Sequence, residues 1–168
     1  MLFRSLYLGR GAVSSMNDTR GALAAYTRVT QLNPVHKEAH NECGNLHHRL
    51  GDLTAAQAAY DTVRRLAEAE KDDEFKAMAL GNLGNLAQTR GDLAAAEGYY
   101  AQSLTLNQEL GLKEGMANQY GNLGILEHTR GNMAGARAFW GQARDLYAEI
   151  GMPHMVEIVQ EALDHLDH

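Results

Sequence analysis

Apolar and small residues recur at helical spacing along most of the chain. In one stretch Leu80, Leu83 and Ala87 mark one face, and beyond Gly91-Asp92 the series resumes with Leu93, Ala96, Tyr100, Ser103, Leu106 and Leu110. Steps of three and four residues bring such positions onto a single stripe of a helix. The pattern predicts one helix through Ala79–Arg90 and a second through Asp92–Leu110. A glycine at the junction suits the left-handed turn that ends the first helix, and the Asp92 side chain suits the cap of the second.

The same unit returns every 40 residues. Gly44, Gly84 and Gly124 share that step, as do Gly51, Gly91 and Gly131, Leu46, Leu86 and Leu126, Ala56, Ala96 and Ala136, and Tyr60, Tyr100 and Trp140. Laying 77–116 on 117–156 gives 15 identities, and laying 37–76 on 77–116 gives 12, which marks internal duplication. A two-helix unit cannot cover its own apolar face, so neighbouring copies must stack into a solenoid.

These positions are where the chain resembles the tetratricopeptide repeat family. The family pattern of Leu-Gly in the first helix, a Gly-Asp-like turn, a small residue and then an aromatic is met by Leu83-Gly84, Gly91-Asp92, Ala96 and Tyr100. Leu123-Gly124, Gly131-Asn132, Ala136 and Trp140 make a second copy, and Cys43-Gly44, Gly51-Asp52, Ala56 and Tyr60 a third. The pairing has a physical basis, since a residue without a large side chain lets the opposing aromatic lie against the helix backbone. The resemblance implies an all-α fold: a right-handed superhelical solenoid of stacked antiparallel helix-turn-helix repeats.

A partial copy opens the chain, with Asn17-Asp18, Ala22, Tyr26 and Pro34 in step with the ordinary 34-residue repeat. Its first helix, about Phe3–Ser15, has Leu8-Gly9 roughly one residue out of register. The reading is thus one domain over 1–168: a degenerate repeat at about 3–36, full repeats at 37–76, 77–116 and 117–152, and a capping helix at 153–167. The extra length of the 40-residue units is expected at the end of the second helix and in the following loop, as in Leu110-Gly111-Leu112-Lys113-Glu114-Gly115. This resembles a longer-repeat branch of the family. At the C-terminus Met155, Val156, Val159, Leu163 and Leu166 form one apolar face, and Asp164 stands where the other copies have the close-packing glycine. No further hairpin is expected to dock there.

By the same resemblance, the first helices line the concave face and hold a protein or peptide partner. The candidate groove residues are Asn41, Asn45, His48 and Arg49 from the first full repeat, then Met78, Asn82, Asn85 and Gln88, then Asn118, Asn122, Ile125 and His128. Glu38, Gly81, Thr89, Gly121 and Thr129 share that face. Amides recur in register at Asn45/Asn85 and Asn82/Asn122. An amide side chain offers both donor and acceptor to a peptide backbone, and helices about 8–10 Å apart would meet an extended chain about every third residue. Against this stands the plainer reading that the amides bind neighbouring helices, and that Gly81 and Gly121 serve close packing rather than a ligand. A carboxylate clamp of the kind some family members carry lacks its basic residues here, because Glu38, Asn41, Met78, Gly81, Asn118 and Gly121 occupy the relevant positions.

Composition narrows the remaining classes. Hydrophobic residues make up 45% and charged residues 21% of 168, a globular profile, and only Pro34 and Pro153 interrupt helices. The formal net charge of −6, with Lys and Arg scattered among acids, argues against nucleic acid. Cys43, the single cysteine, lies where other copies have Leu83 and Leu123 and reads as a buried apolar substitute. The histidines at 36, 40, 47 and 48 lack the converging set that a metal needs. No nucleophile–base pair, phosphate loop or cofactor motif is present, so no enzyme, metal or cofactor is predicted. The first residues, Met1 to Arg10, are too short and too interrupted by Arg4 and Arg10 for a signal or a membrane span, which predicts a cytoplasmic chain. The alternative to groove binding is self-assembly into homo-oligomers through the solenoid ends.

Overall fold

Two families of turn, each recurring every 40 residues, set the helix lengths. Gly51, Gly91 and Gly131 adopt φ of 82°, 81° and 81°, and Lys71, Gly111 and Gly151 adopt 57°, 68° and 73°. All lie in the left-handed region that ends helices. The residues that follow the first family, Asp52, Asp92 and Asn132, cap the next helix by accepting from the backbone N–H of Ala55, Ala95 and Gly135 at 3.0, 3.0 and 3.1 Å.

The computed structural model describes residues 16–167. Eight helices follow: α1 (Met16–Leu32), α2 (Lys37–Leu50), α3 (Leu53–Glu70), α4 (Asp73–Thr89), α5 (Leu93–Leu110), α6 (Lys113–Thr129), α7 (Met133–Glu149) and α8 (Pro153–Asp164), with a 3-10 turn at His165–Asp167. Consecutive helices pack on one another, so the hairpins α2/α3, α4/α5 and α6/α7 stack as a helical-repeat solenoid closed by α8. The first helix expected at about Phe3–Ser15 falls outside the described residues. Asn17-Asp18, expected as a turn, instead lies in the first turn of α1.

The added length of each unit is helix, not loop. Lys113-Glu114-Gly115 belongs to the first turn of α6, and α4 begins at Asp73, six residues before the expected Ala79. The reason is local: after the left-handed Lys71, Asp72 accepts from the Phe75 N–H at 3.1 Å and starts the helix at once.

The core is a row of aromatic-on-glycine contacts. Tyr60, Tyr100 and Trp140 keep 1%, 0% and 2% of their surface. Each lies over the glycine of its own hairpin, Gly44, Gly84 or Gly124, where a Cβ would overlap the ring. Leucines of the next hairpin close the other side, so Tyr60 packs with Leu83 and Leu86, and Tyr100 with Leu123 and Leu126. Trp140 and Tyr147 pack instead on Val159, Ala162 and Leu163 of α8. Cys43 is buried beside Thr27 of α1, with its sulfur 4.0 Å from the hydroxyl, and burial pushes the thiol pKa up.

Arginines latch successive hairpins on the outside. Arg90 donates to the Leu53 carbonyl at 3.0 Å and also reaches Gln57. One repeat later Arg130 reaches the Leu93 carbonyl at 3.5 Å and Glu97 at 2.7 Å. No described helix is long and apolar enough to cross a membrane.

Candidate functional site

An open groove of about 800 Å³ runs between the N-terminal halves of α4 and α6. The turns at 111–113 and 150–152 close one side. Helical spacing presents Glu74, Met78, Asn82 and Asn85 from α4, and Glu114, Asn118 and Asn122 from α6. Of the expected groove residues, this brings together Met78, Asn82, Asn85, Asn118 and Asn122.

The others are used elsewhere. Arg49 points to α1, 3.5 Å from the Thr19 hydroxyl. His48 pairs with Thr89 at 2.9 Å, across two hairpins. Gln88 lies 2.7 Å from the Tyr100 hydroxyl, Ile125 packs against the core around Trp140, and His128 lies tilted against the Trp140 ring with centroids 5.7 Å apart. Asn41 is buried at 8% exposure and accepts from Asn82 at 2.8 Å, which ties α2 to α4.

Several of the in-register amides have partners inside the protein. Tyr60 donates to Asn45 Oδ1 at 2.9 Å. The Tyr100 hydroxyl lies 2.9 Å from Asn85 Oδ1 and 2.7 Å from Gln88 Oε1; with one proton, it donates to one of them at a time. Tyr147 donates to Asn118 Oδ1 at 2.5 Å. Burial, with Glu42 nearby, pushes the Tyr60 phenol well above its ordinary pKa, so it remains a neutral donor. Asn85 and Asn118 keep their –NH2 groups for the groove while their carbonyls steady the core, whereas the Asn45 –NH2 group donates to Glu42 at 3.3 Å.

Sequence reasoning missed two lining amides. Asn107 is buried and donates to the Ser103 carbonyl at 2.8 Å, with its side chain against Gly115. Gln119 is also buried, at a position where the preceding repeats carry Ala39 and Ala79. The break in the repeat at Gln119 was the available signal. Gly81 lies under Gln119, whose Nε2 would be 2.9 Å from a Cβ at 81, whereas a Cβ at Gly121 would have open space around it.

The histidines expected to be unremarkable have local duties. His36 caps α2 by accepting from the Ala39 N–H at 3.3 Å, and His40 Nε2 sits 2.9 Å from the Pro34 carbonyl. Among the described residues no cluster of three or more metal-ligating side chains forms. Lys37, at the start of α2, bridges Glu70 at 2.6 Å and Asp72 at 2.5 Å and lies over the Phe75 ring at 4.9 Å. The two carboxylates raise the lysine pKa, and the lysine holds Asp72 below the usual carboxylate range.

A family model described as tetratricopeptide repeat matches residues 38–109. Among solved structures, BtubC (BKLC) from P. vanneervenii is 18% identical with a TM-score of 0.73, covering 90% of this chain. The chain spans 63% of BtubC's length. Two structures of MamA match with TM-scores of 0.59 and 0.57 at 18% and 20% identity. They cover 89% and 88% of this chain, and 87% and 82% of MamA. At that identity the likeness speaks for the fold alone. Comparison with curated proteins finds no match. The chain carries tetratricopeptide repeats, matched at 38–109, and α6 and α7 continue the same helical-repeat geometry beyond them.

Proposed function

We propose that the chain holds an extended segment of a partner protein in the groove between α4 and α6. The observation that carries this is the lining: Asn82, Asn85, Asn118, Gln119 and Asn122 converge on one open concave surface of about 800 Å³. Amides there address a peptide backbone regardless of sequence, and Met78, Ile150 and Met152 add apolar contact. The scaffold supplies position and no reacting group. A photo-crosslinking amino acid at Met78, which is 40% exposed in the groove, tests it beside the same probe at the exposed Ala94 outside it. Protein segments crosslinked at 78 and absent at 94 support the groove; equal or reversed labelling overturns it.

A second reading, assembly between copies, draws on the N-terminal side. Tyr26 is 38% exposed while Tyr60 and Tyr100 are buried, and Leu32 and Val35 are 71% and 56% exposed. At the other end α8 turns Glu157, Glu161 and Asp164 to solvent. Sedimentation over a concentration series decides: a mass that rises, and falls back in Tyr26→Ser/Leu32→Ser, favours assembly, and a constant monomer excludes it.

A further inference from the structure

The amide pattern breaks at one place in the groove. Asn82 donates to Asn41 and so joins neighbouring hairpins at 2.8 Å. One repeat on, Asn122 takes the place of Asn82, but Gly81 takes the place of Asn41, and the bridge has no acceptor. Gln119, replacing the alanines of earlier repeats, fills the space over Gly81 instead. It accepts from Asn122 at 3.5 Å, the outer limit of a hydrogen bond.

That leaves Gln119 Nε2 and Asn122 Oδ1 with no partner among the described residues, although the two side chains are only 7% and 3% exposed and line the groove. Neither atom is itself fully buried, so both open onto the groove where a ligand can reach them. Exchanging oxygen and nitrogen in both amides still leaves one donor beside one acceptor, so the conclusion does not depend on how they are oriented. One donor beside one acceptor is the complement of a peptide group.

The charges of the same groove are one-sided. Lys113 is engaged by Glu149 at 2.5 Å. Glu74 and Glu114, equivalent positions in the first turns of α4 and α6, line the groove, are exposed and make no ion pair among the described residues. A helix N-terminus favours a carboxylate there without neutralising its charge. Equivalent positions of two stacked hairpins set both carboxylates along the same groove.

Resting on the groove reading above, we infer that the bound segment places a Lys or Arg side chain between Glu74 and Glu114 while an adjacent peptide group pairs with Gln119 and Asn122. The surrounding net charge of −6 steers such a segment inward and disfavours acidic ones.

The test uses fluorescein-labelled, acetylated and amidated short peptide pools with a degenerate neutral background and a fixed central Lys, Leu or Glu. Anisotropy is read with wild type, Glu74→Gln/Glu114→Gln, Gln119→Ala and a control, Glu157→Gln/Glu161→Gln, which makes the same charge change outside the groove. Gln119→Ala installs the residue that Ala39 and Ala79 already provide. The Lys pool is expected to bind wild type about fivefold tighter than the Leu pool, as two partly exposed ion pairs allow. Glu74→Gln/Glu114→Gln equalises the two pools, the control keeps the preference, and Gln119→Ala weakens every pool by one common factor. Pools that bind without preference, a control that erases the preference equally, or a Gln119→Ala variant that binds as wild type would overturn this inference and leave the groove standing. A wild type that binds no pool overturns the groove reading and this inference with it.

Discussion

Tyr60 donates its phenol proton to Asn45 Oδ1 at 2.9 Å, and Tyr100 stands in the same relation to Asn85 one repeat later. The third hairpin changes both members. Trp140 takes the aromatic place, Ile125 takes the amide place, and the indole N–H turns to the Gly121 carbonyl at 3.1 Å. The phenol and its amide acceptor therefore appear together and vanish together. Replacing Asn45 by Ile strands a buried hydroxyl and is expected to cost about 1–3 kcal/mol. Asn45→Ile/Tyr60→Phe should recover much of that, giving a clear coupling energy in a urea-unfolding double-mutant cycle. Asn85→Ile should be milder, because Gln88 remains 2.7 Å from the Tyr100 hydroxyl.

Two helical glycines in neighbouring repeats should respond oppositely to alanine. At Gly84 a Cβ would overlap the Tyr100 ring, which is fixed in the core, so Gly84→Ala is expected to lose about 1–3 kcal/mol by overpacking. Nothing lies within 4 Å of a Cβ at Gly121, so Gly121→Ala should gain up to about 1 kcal/mol from helix propensity. Denaturant midpoints of the two variants check the signs.

Lys71 is the one non-glycine residue with positive φ among those described, at 57°. Its counterparts one and two repeats on are Gly111 and Gly151. Lys71 is exposed and its side chain makes no contact that depends on the turn, so Lys71→Gly relieves left-handed strain at little loss. A stabilisation of about 0.5–1 kcal/mol is expected, less than the full strain of about 1–2 kcal/mol because glycine also gains freedom in the unfolded chain. Thermal unfolding at neutral pH measures it.

The Lys37 clamp should make stability depend on pH in a defined window. Asp72 has a lowered folded pKa, so its contribution is present above the unfolded value near ~3.9 and is lost as pH falls through the folded value. Lys37 has a raised folded pKa, so its contribution is full below the unfolded value near ~10.4 and is lost as pH rises through the folded value. Lys37→Met should therefore lower the melting temperature at pH 7. The difference from wild type should shrink as the solution is acidified below the carboxylate range. A difference that persists in acid would show that Lys37 acts through its packing on Phe75 instead.

Much of the fold was legible because its causes are local. Gly91, Asp92, Ala96 and Tyr100 each act within one hairpin, and a 40-residue step repeats them. The helix start at Asp73 was not legible, since a lysine at 71 does not announce the left-handed turn that Gly111 and Gly151 make plain, and the start at Lys113 was missed because Leu112 offers no side-chain cap. In the groove, the amides at 82, 85, 118 and 122 were found by register, while Gln119 and Asn107 were missed because they sit at positions where other repeats carry Ala or are read as core. Arg49, Gln88, Ile125 and His128 share the helical face by spacing, yet each is drawn away by a neighbour: Thr19, Tyr100, the core beneath Trp140, or the Trp140 ring.

By itself the sequence determined the hairpin, its period and the pairing of each aromatic with a glycine, because capping, helical periodicity and close approach operate within a few turns of one chain segment. Which amides remain open to a ligand was decided only by tertiary structure. Asn41, Asn45 and Asn82 look alike along the chain, but their hydrogen bonds are made or withheld by residues on other helices, and at Gly81 one missing side chain changes the partners of two amides on α6.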